Sequence, residues 1–404
     1  MRILIVGMTE SIHLAKWVSL MDTIRHDVYL FPSTGLREHP RIDQTKVKLA
    51  RSFRYRSLWS QLFQNRIARK AFRVLRRLRK AAVDDARIRD LATAIKKISP
   101  DLVHSMETQH AGYLVLDAKR KHFPGGGFPR WLHTNWGSDV YLFGRLAEHE
   151  ARVRGVLSEC DYYSCEGERD NELARRYGYR GPLFEPFPNA GGFDLEELGR
   201  YRTGEPPSAR SLIMVKGYQG WAGRSLVALR ALALAGDGVR RFKVVVYSVG
   251  KKEEVLISAE LLRRENGLDI EVLDSHVSHE RMLEYFARAR LYVGLSISDG
   301  ISTSMLEAMA MGVFPVQSDT SMASEWIEDG KTGFIVPAED PEVVAERIAR
   351  ALEDDALVDA AAAANVRTIE ARADSTKIGR RINGIYDSIA DRPGAASDAP
   401  PEAK

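Results

Sequence analysis

The chain has 404 residues, 44% hydrophobic and 28% charged, with a net charge of +4; this is an ordinary soluble composition, long enough that two domains of roughly 200 residues each are expected. No apolar run reaches the roughly 20 residues that cross a bilayer, and the first residues lack a signal peptide's basic start and cleavage site, so a cytoplasmic protein is expected. Two cysteines, Cys160 and Cys165, exclude a disulfide framework or a cysteine-rich metal site and read as ordinary thiols.

MRILIVGM is a short apolar strand ending at Gly7, and SIHLAKWVSLM carries apolar residues at helical spacing. HDVYLFPS reads as a second strand. A basic helical insertion over about 51–90 follows, with eleven Lys or Arg and no Asp or Glu from Arg51 to Lys80. Within it, Leu58 to Lys80 sets Trp59, Phe63 and other apolar residues at helical spacing among arginines, which predicts an amphipathic helix. Such a helix suits contact with an anionic membrane surface or packing on its own domain. No base-reading motif accompanies the charges, which argues against nucleic acid. PDLVHSM, GFPRWLHTNWGSDV and CDYYSCEG then supply strands.

Turn formers concentrate between Pro188 and Arg210 and mark a linker. A second series runs through SLIMVKGY, FKVVVYSVG, DIEVLDSHV, ARLYVGLSI and VFPVQSD, with helices around Pro341–Leu352 and Ile378–Ile389. The fold class predicted is α/β: two Rossmann-like, doubly wound domains facing a central cleft. The boundaries read as 1–195 and 205–372, a C-terminal helix over 373–390 returning to the N-terminal domain, and a disordered tail over 391–404.

The sharpest chemical signal is SISDGISTSMLEAMAMGVFPVQSD, beginning at Ser296. Gly300 permits a tight turn, and Ser302, Thr303 and Ser304 fall at a helix N-terminus, a favourable place for a phosphate. Asp299 and Glu307 flank the turn and suit hydrogen bonds to vicinal sugar hydroxyls. Ser304-Met-Leu-Glu307 also matches a capping box, in which Glu307 reaches back to a backbone amide. The spacing supports both readings equally.

This segment resembles the donor-binding signature of family 4 glycosyltransferases of GT-B fold: two acids separated by seven residues, then LEAMAMG, a Val- and Pro-rich strand, and a GxxGFIVPxxDP ending. PDLVH, PNAGGFD and LIMVKGYQGWAGRSLVALRAL occur in the expected order. The resemblance implies transfer from a nucleotide-sugar donor, UDP-linked rather than GDP-linked, to a glycan or lipid-linked glycan with retention, in cell-surface polysaccharide or glycoconjugate synthesis. It further implies no metal and no cofactor beyond the donor, which is a substrate. By position, Glu307 would hold the ribose, and Asp299 with Gly300, Ile301, Ser302, Thr303 and Ser304 would meet the donor sugar. Lys216 and Arg224 would stabilise the departing diphosphate.

In the first domain, Gly7 is placed on the diphosphate side. His13, Glu107, Gln109, His110, His133, Asn135 and Asp139 are the acceptor-side candidates. Two departures stand out: the first acid is Asp299 rather than Glu, and Trp136 occupies the place of a usual histidine. A GT-B nucleotide-sugar epimerase and a catalytically silent membrane-associated binding module are the alternative readings.

Overall fold

The computed structural model describes residues 1–34, 36–50, 68–274 and 277–391, with side chains except over 68–82. Residues 51–67, with the first part of the expected amphipathic helix, and the tail from 392 onward lie outside the described residues; from Ala68 to Lys80 the expected helix is helical.

Six strands form the first sheet: β1 (Arg2–Gly7), β2 (Asp27–Pro32), β3 (Lys48–Leu49), β4 (Leu102–Met106), β5 (Arg130–Thr134) and β6 (Tyr162–Ser164). Six more form the second: β7 (Leu212–Lys216), β8 (Lys243–Tyr247), β9 (Asp269–Val272), β10 (Ala289–Gly294), β11 (Phe314–Ser318) and β12 (Phe334–Val336). Their orders are β3-β2-β1-β4-β5-β6 and β12-β11-β10-β7-β8-β9, one winding used twice, with parallel pairing throughout. In such sheets the chain reverses its direction of winding between the first and fourth strands, and the crevice outside their carboxyl ends is where ligands bind.

Both faces of each sheet are covered, so the central strands are apolar on both sides. Ile3 and Ile5 of β1 pack with Leu14, Trp17 and Ile382, while Leu4 and Val6 pack with Leu91, Val115 and Trp131. In β7, Ile213 and Val215 enter one core and Leu212 and Met214 the other. β1 ends at Gly7, where a Cβ would lie 2.3 Å from Leu14 Cδ1, so the first helix (Ile12–Ser19) sits close on the strand.

The helix Ala68–Ile98 places Ile88, Leu91 and Ile95 in the first domain's core. No helix among the described residues is long and apolar enough to cross a membrane.

The last helix, Ser375–Ala390, packs on the first sheet, not the second. Ile378, Ile382, Ile385 and Tyr386 join the core around Ile3 and Ile5, and the Trp17 indole N–H donates to Tyr386 Oη at 2.9 Å. The chain therefore crosses between domains twice, and the crossings run side by side. Phe193 N donates to Ala373 O at 2.8 Å and Ser375 N to Phe193 O at 2.8 Å. Gly192, with φ of +66°, makes this possible, since a Cβ there would lie 2.4 Å from Ala373 O.

Two local differences from the sequence reading have physical causes. The linker region contains a helix, Leu195–Tyr201, because Asp194 accepts from the Glu196 and Glu197 amides as its cap. The helix Asp355–Arg372 is hard to see in DALVDAAAAANVRTIEAR because it buries only a thin seam of Val358, Ala361, Asn365 and Ile369, leaving almost no amphipathic contrast.

Candidate active site

The carboxyl ends of β7 and β10 bring Lys216 and Asp299 together, with Lys216 Nζ 3.7 Å from Asp299 Oδ2. Asp299 Oδ1 also accepts from the Gly300 amide at 2.9 Å, so the side chain braces the turn that it begins. Burial pushes the Asp299 carboxyl above its ordinary range, and Lys216 pulls it back.

The helix that follows is Thr303–Ala310, and its cap is Ser302, whose hydroxyl accepts from Met305 N at 3.4 Å. This removes the capping-box alternative. Glu307 lies in the second turn, returns to no backbone amide, and meets His279 Nε2 at 2.5 Å. That bond raises the His279 pKa. The Ser302 hydroxyl also lies 3.5 Å from Tyr292 Oη.

From the first domain comes Glu166, just beyond β6. Its carboxylate accepts from the Ile301 amide at 3.1 Å and from the Asn189 amide at 2.9 Å. Arg169 reaches across to donate to Thr320 O and Asp299 O, each at 3.0 Å. In return Glu325 of the second domain accepts from the Glu168 and Arg169 amides at 3.0 and 3.2 Å, capping the helix Glu168–Arg176. Gly137 and Gly300 touch backbone to backbone: a Cβ on Gly137 would lie 2.1 Å from Gly300 Cα, and one on Gly300 would lie 2.2 Å from Glu166 Oε2. The described state is closed.

A cavity of about 290 Å³ remains, lined by His13, Trp136, Glu166, Lys216, Asp299 and Thr303, with Ala190 and Ile301. It lies at the small end of the range for ligand sites. His13 stands 5.5 Å from the Trp136 ring, and burial followed by the charges of Lys16 and Lys216 lowers its pKa to about 4. It is a neutral imidazole at physiological pH. The Trp136 indole N–H has no hydrogen-bond partner among the described residues.

Several predicted site residues serve other purposes. Glu107, held at φ +78°, caps the turn after β4 by accepting from the Gln109, His110 and Ala111 amides. His133 is fully buried between Ser105 Oγ and Thr108 Oγ1 at 2.8 and 3.0 Å, and burial holds its pKa down at about 3. Asn135 donates to Asp170. Asp139 accepts from Thr108 N and Trp136 N, each at 2.9 Å, and burial lifts its pKa to about 7. These residues shape the loop that carries Trp136 and Gly137; none of them lines the cavity. Gly7 is not in its lining, and Gln109 and His110 line a different pocket.

Arg224 is also absent from the lining: its guanidinium bonds Glu339 at 2.9 Å and carbonyls of its own loop. Sequence reasoning missed Lys16, Glu166, Arg169 and His279. Lys16 was within reach, because it falls three residues after His13 on one helix face, and its charge acts on Glu307 across the cleft. Glu166 carried one signal, its place at a strand's carboxyl end. Among the described residues no cluster of three or more His, Cys, Asp or Glu is arranged to hold a metal ion.

Glu166 makes closure pH-dependent. Burial first, and then the neighbouring Asp299, lift its pKa from 4.5 to about 8 in the closed state. A group with a raised pKa favours the closed form fully below its open-state value and loses that contribution as pH rises through the closed-state one. Small-angle scattering should therefore show the domains separating progressively as pH rises from about 4.5 to about 8, and Glu166→Gln should flatten that dependence. An equally compact wild type at both ends would remove Glu166 from the latch.

Two Rossmann-type domains facing one cleft, with cations and carboxylates from both, define the GT-B architecture. Residues 2–162 match the model for "Glycosyl transferase 4-like" proteins and residues 218–354 that for "Glycosyl transferases group 1". The chain belongs to the GT-B glycosyltransferases of family 4.

It is 32% identical over 105 residues to the lipopolysaccharide core biosynthesis mannosyltransferase of Rhizobium leguminosarum bv. viciae, a match spanning 26% of this chain and 30% of that one. In structure it is similar to HepE of Anabaena in complex with UDP, with TM-score 0.69 and 14% identity over 96% of this chain and 100% of that one. Sucrose-phosphate synthase from Thermosynechococcus elongatus gives TM-score 0.66 and 15% identity over 96% and 99%. These two likenesses are of fold.

Proposed function

We propose that the protein transfers a sugar, with retention of configuration, from a UDP-linked donor to a glycan or lipid-linked glycan acceptor in cell-surface polysaccharide or glycoconjugate synthesis. The observation that carries this reading is the meeting of Lys216, Asp299 and the Ile301–Thr303 helix entrance at one cavity where both sheets reverse. Support comes from HepE, which binds UDP and UDP-glucose, and from the mannosyltransferase relative.

In this reading the donor sugar enters the cavity and its nucleotide extends toward Glu307, where the ribose hydroxyls replace His279 as the carboxylate's partner. Asp299 holds Lys216 in place until the diphosphate arrives. As the glycosidic bond breaks, negative charge grows on the leaving phosphate and Lys216 neutralises it, a role that calls for no metal. The unpartnered Trp136 indole N–H supplies one hydrogen bond to the donor, in the position where the family usually places histidine.

Titration calorimetry with UDP and GDP tests the donor, and the anomeric configuration of the product tests retention. Glu307→Gln should weaken UDP by about 1.5 to 3 kcal/mol through loss of a charge-assisted bond, and the His279 titration midpoint should fall toward the ordinary histidine value. Unchanged UDP affinity together with a shifted His279 would leave Glu307 as a structural pair and no ribose ligand.

The basic segment from Leu58 to Lys80 is proposed to rest on an anionic membrane surface at the inner face. Wild type should sediment with phosphatidylserine vesicles at low salt, and charge reversal at Arg69, Arg73 and Arg76 should abolish this. Absence of wild-type sedimentation would end the membrane reading.

A further inference from the structure

Asp170 stands in the first turn of the helix Glu168–Arg176, fully buried and outside the cavity lining. Its two carboxylate oxygens serve two different parts of the site. Oδ2 accepts from the Asn135 side-chain amide and Oδ1 from Arg169 Nε, each at 2.9 Å. Burial pushes its pKa up, while Arg169 and then Asn135 pull it back.

Both partners lead to the cavity. Asn135 immediately precedes Trp136, and its carbonyl accepts from Asn189 Nδ2 at 2.9 Å, so main chain and side chain are both tied where the Trp136 wall begins. Arg169 packs 4.0 Å over the Tyr141 ring and extends Nη1 to Thr320 O and Nη2 to Asp299 O. Those two carbonyls belong to adjoining segments of the second domain, since Asp299 N donates to Thr320 O at 3.3 Å. A guanidinium is a rigid planar fork. With its plane set by the ring and Nε held by an acceptor, both Nη groups have only one direction left.

We propose that Asp170 is a positioning residue that couples the two walls of the cavity, aiming Arg169 at the Asp299 main chain from the loop that carries Trp136. It touches no reactant. Its work is to hold the Asp299 carbonyl, and with it the carboxylate beside Lys216, in register with Trp136. A buried carboxylate is a costly way to fill space, because an apolar side chain of similar volume desolvates no charge. What the carboxylate adds is two acceptor oxygens facing two donors, where an amide of the same shape offers one. The consequence for transfer rests on the glycosyltransferase reading; the coupling itself rests on the bonds between the walls.

The test measures turnover of a panel of UDP- and GDP-sugars, UDP affinity by calorimetry, and hydrogen exchange of the amides from Asp299 to Ser304. Asp170→Asn keeps the shape and removes the charge and one acceptor; Arg169→Met removes the fork. Each should lower kcat about tenfold and speed exchange of those amides, while UDP affinity holds within about twofold. The double variant decides the matter. If Asp170 acts through Arg169, the losses do not multiply, and the double is no slower than Arg169→Met alone. Arg169→Lys should resemble Arg169→Met, since charge without the fork has no aim. Asn135→Ala cuts the same chain on its other side and replaces Asp170→Asn in the cycle should that variant not fold. Losses that multiply, an Asp170→Asn kcat equal to wild type, or activity lost only in step with melting temperature would each overturn the coupling. A wild type that turns over no nucleotide sugar would sink the transferase reading instead, and the exchange cycle then decides Asp170 by the same rule.

Discussion

Gly137→Ala should lower kcat/KM by about two orders of magnitude or more, roughly 2.7 kcal/mol of transition-state stabilisation, while both domains stay folded. Two effects combine. Gly137 has φ +83° and ψ −81°, a backbone conformation that L residues rarely adopt. Its added Cβ would also stand 2.1 Å from Gly300 Cα and 2.4 Å from Gly300 N, far inside the 3.5 to 4.0 Å of an ordinary carbon contact. Neither backbone has a flexible end that can yield, so the domains must part. Parting withdraws Glu166 from the Ile301 amide and Arg169 from Thr320, opening the cavity to water. Scattering should report a larger radius of gyration, and melting should fall only by the local backbone strain at position 137, because the cores are untouched. Full activity in this variant would mean that the closed arrangement is not the working one.

Lys216→Ala should reduce turnover by about two orders of magnitude or more, the usual effect of removing a fixed charge from a developing anion. Lys216 is the cation that lines the cavity, and without it the buried Asp299 keeps only the more distant charge of Arg169. Acceptor affinity should hold. The kcat against pH profile should move as well, since Asp299 loses the neighbour that pulls its pKa down. Arg224→Ala should act mainly on stability, because its guanidinium is engaged with Glu339 and loop carbonyls. Equal losses of turnover in the two variants would place Arg224 back at the phosphate.

Sequence patterns reached the fold because each central strand is buried on both faces and therefore reads as an unbroken apolar run, as in RILIVG and KVVVY. The loop from Asp299 to Ser304 was legible for a similar reason: its glycine and hydroxyls are local requirements of a turn and a helix cap. His133, Asn135 and Asp139 misled, because a buried polar side chain and a ligand-binding one look alike in a sequence. What separates them is whether their partners are internal, and Thr108 and Asp170 lie far along the chain. Glu166 and Arg169 stayed hidden because their roles exist only when the second domain comes to meet them.

The last helix bears on how the protein is made. The first sheet lacks one wall until Ile378, Ile382, Ile385 and Tyr386 arrive, and these follow every strand of the second domain along the chain. The second domain, whose strands run from Leu212 to Val336, is thus complete earlier than the first, reversing the usual order in which domains mature during synthesis. Until then the nascent first domain exposes the apolar face around Ile3, Ile5 and Trp17, and a chaperone that shields such surfaces would find its target at the N-terminal end of the chain.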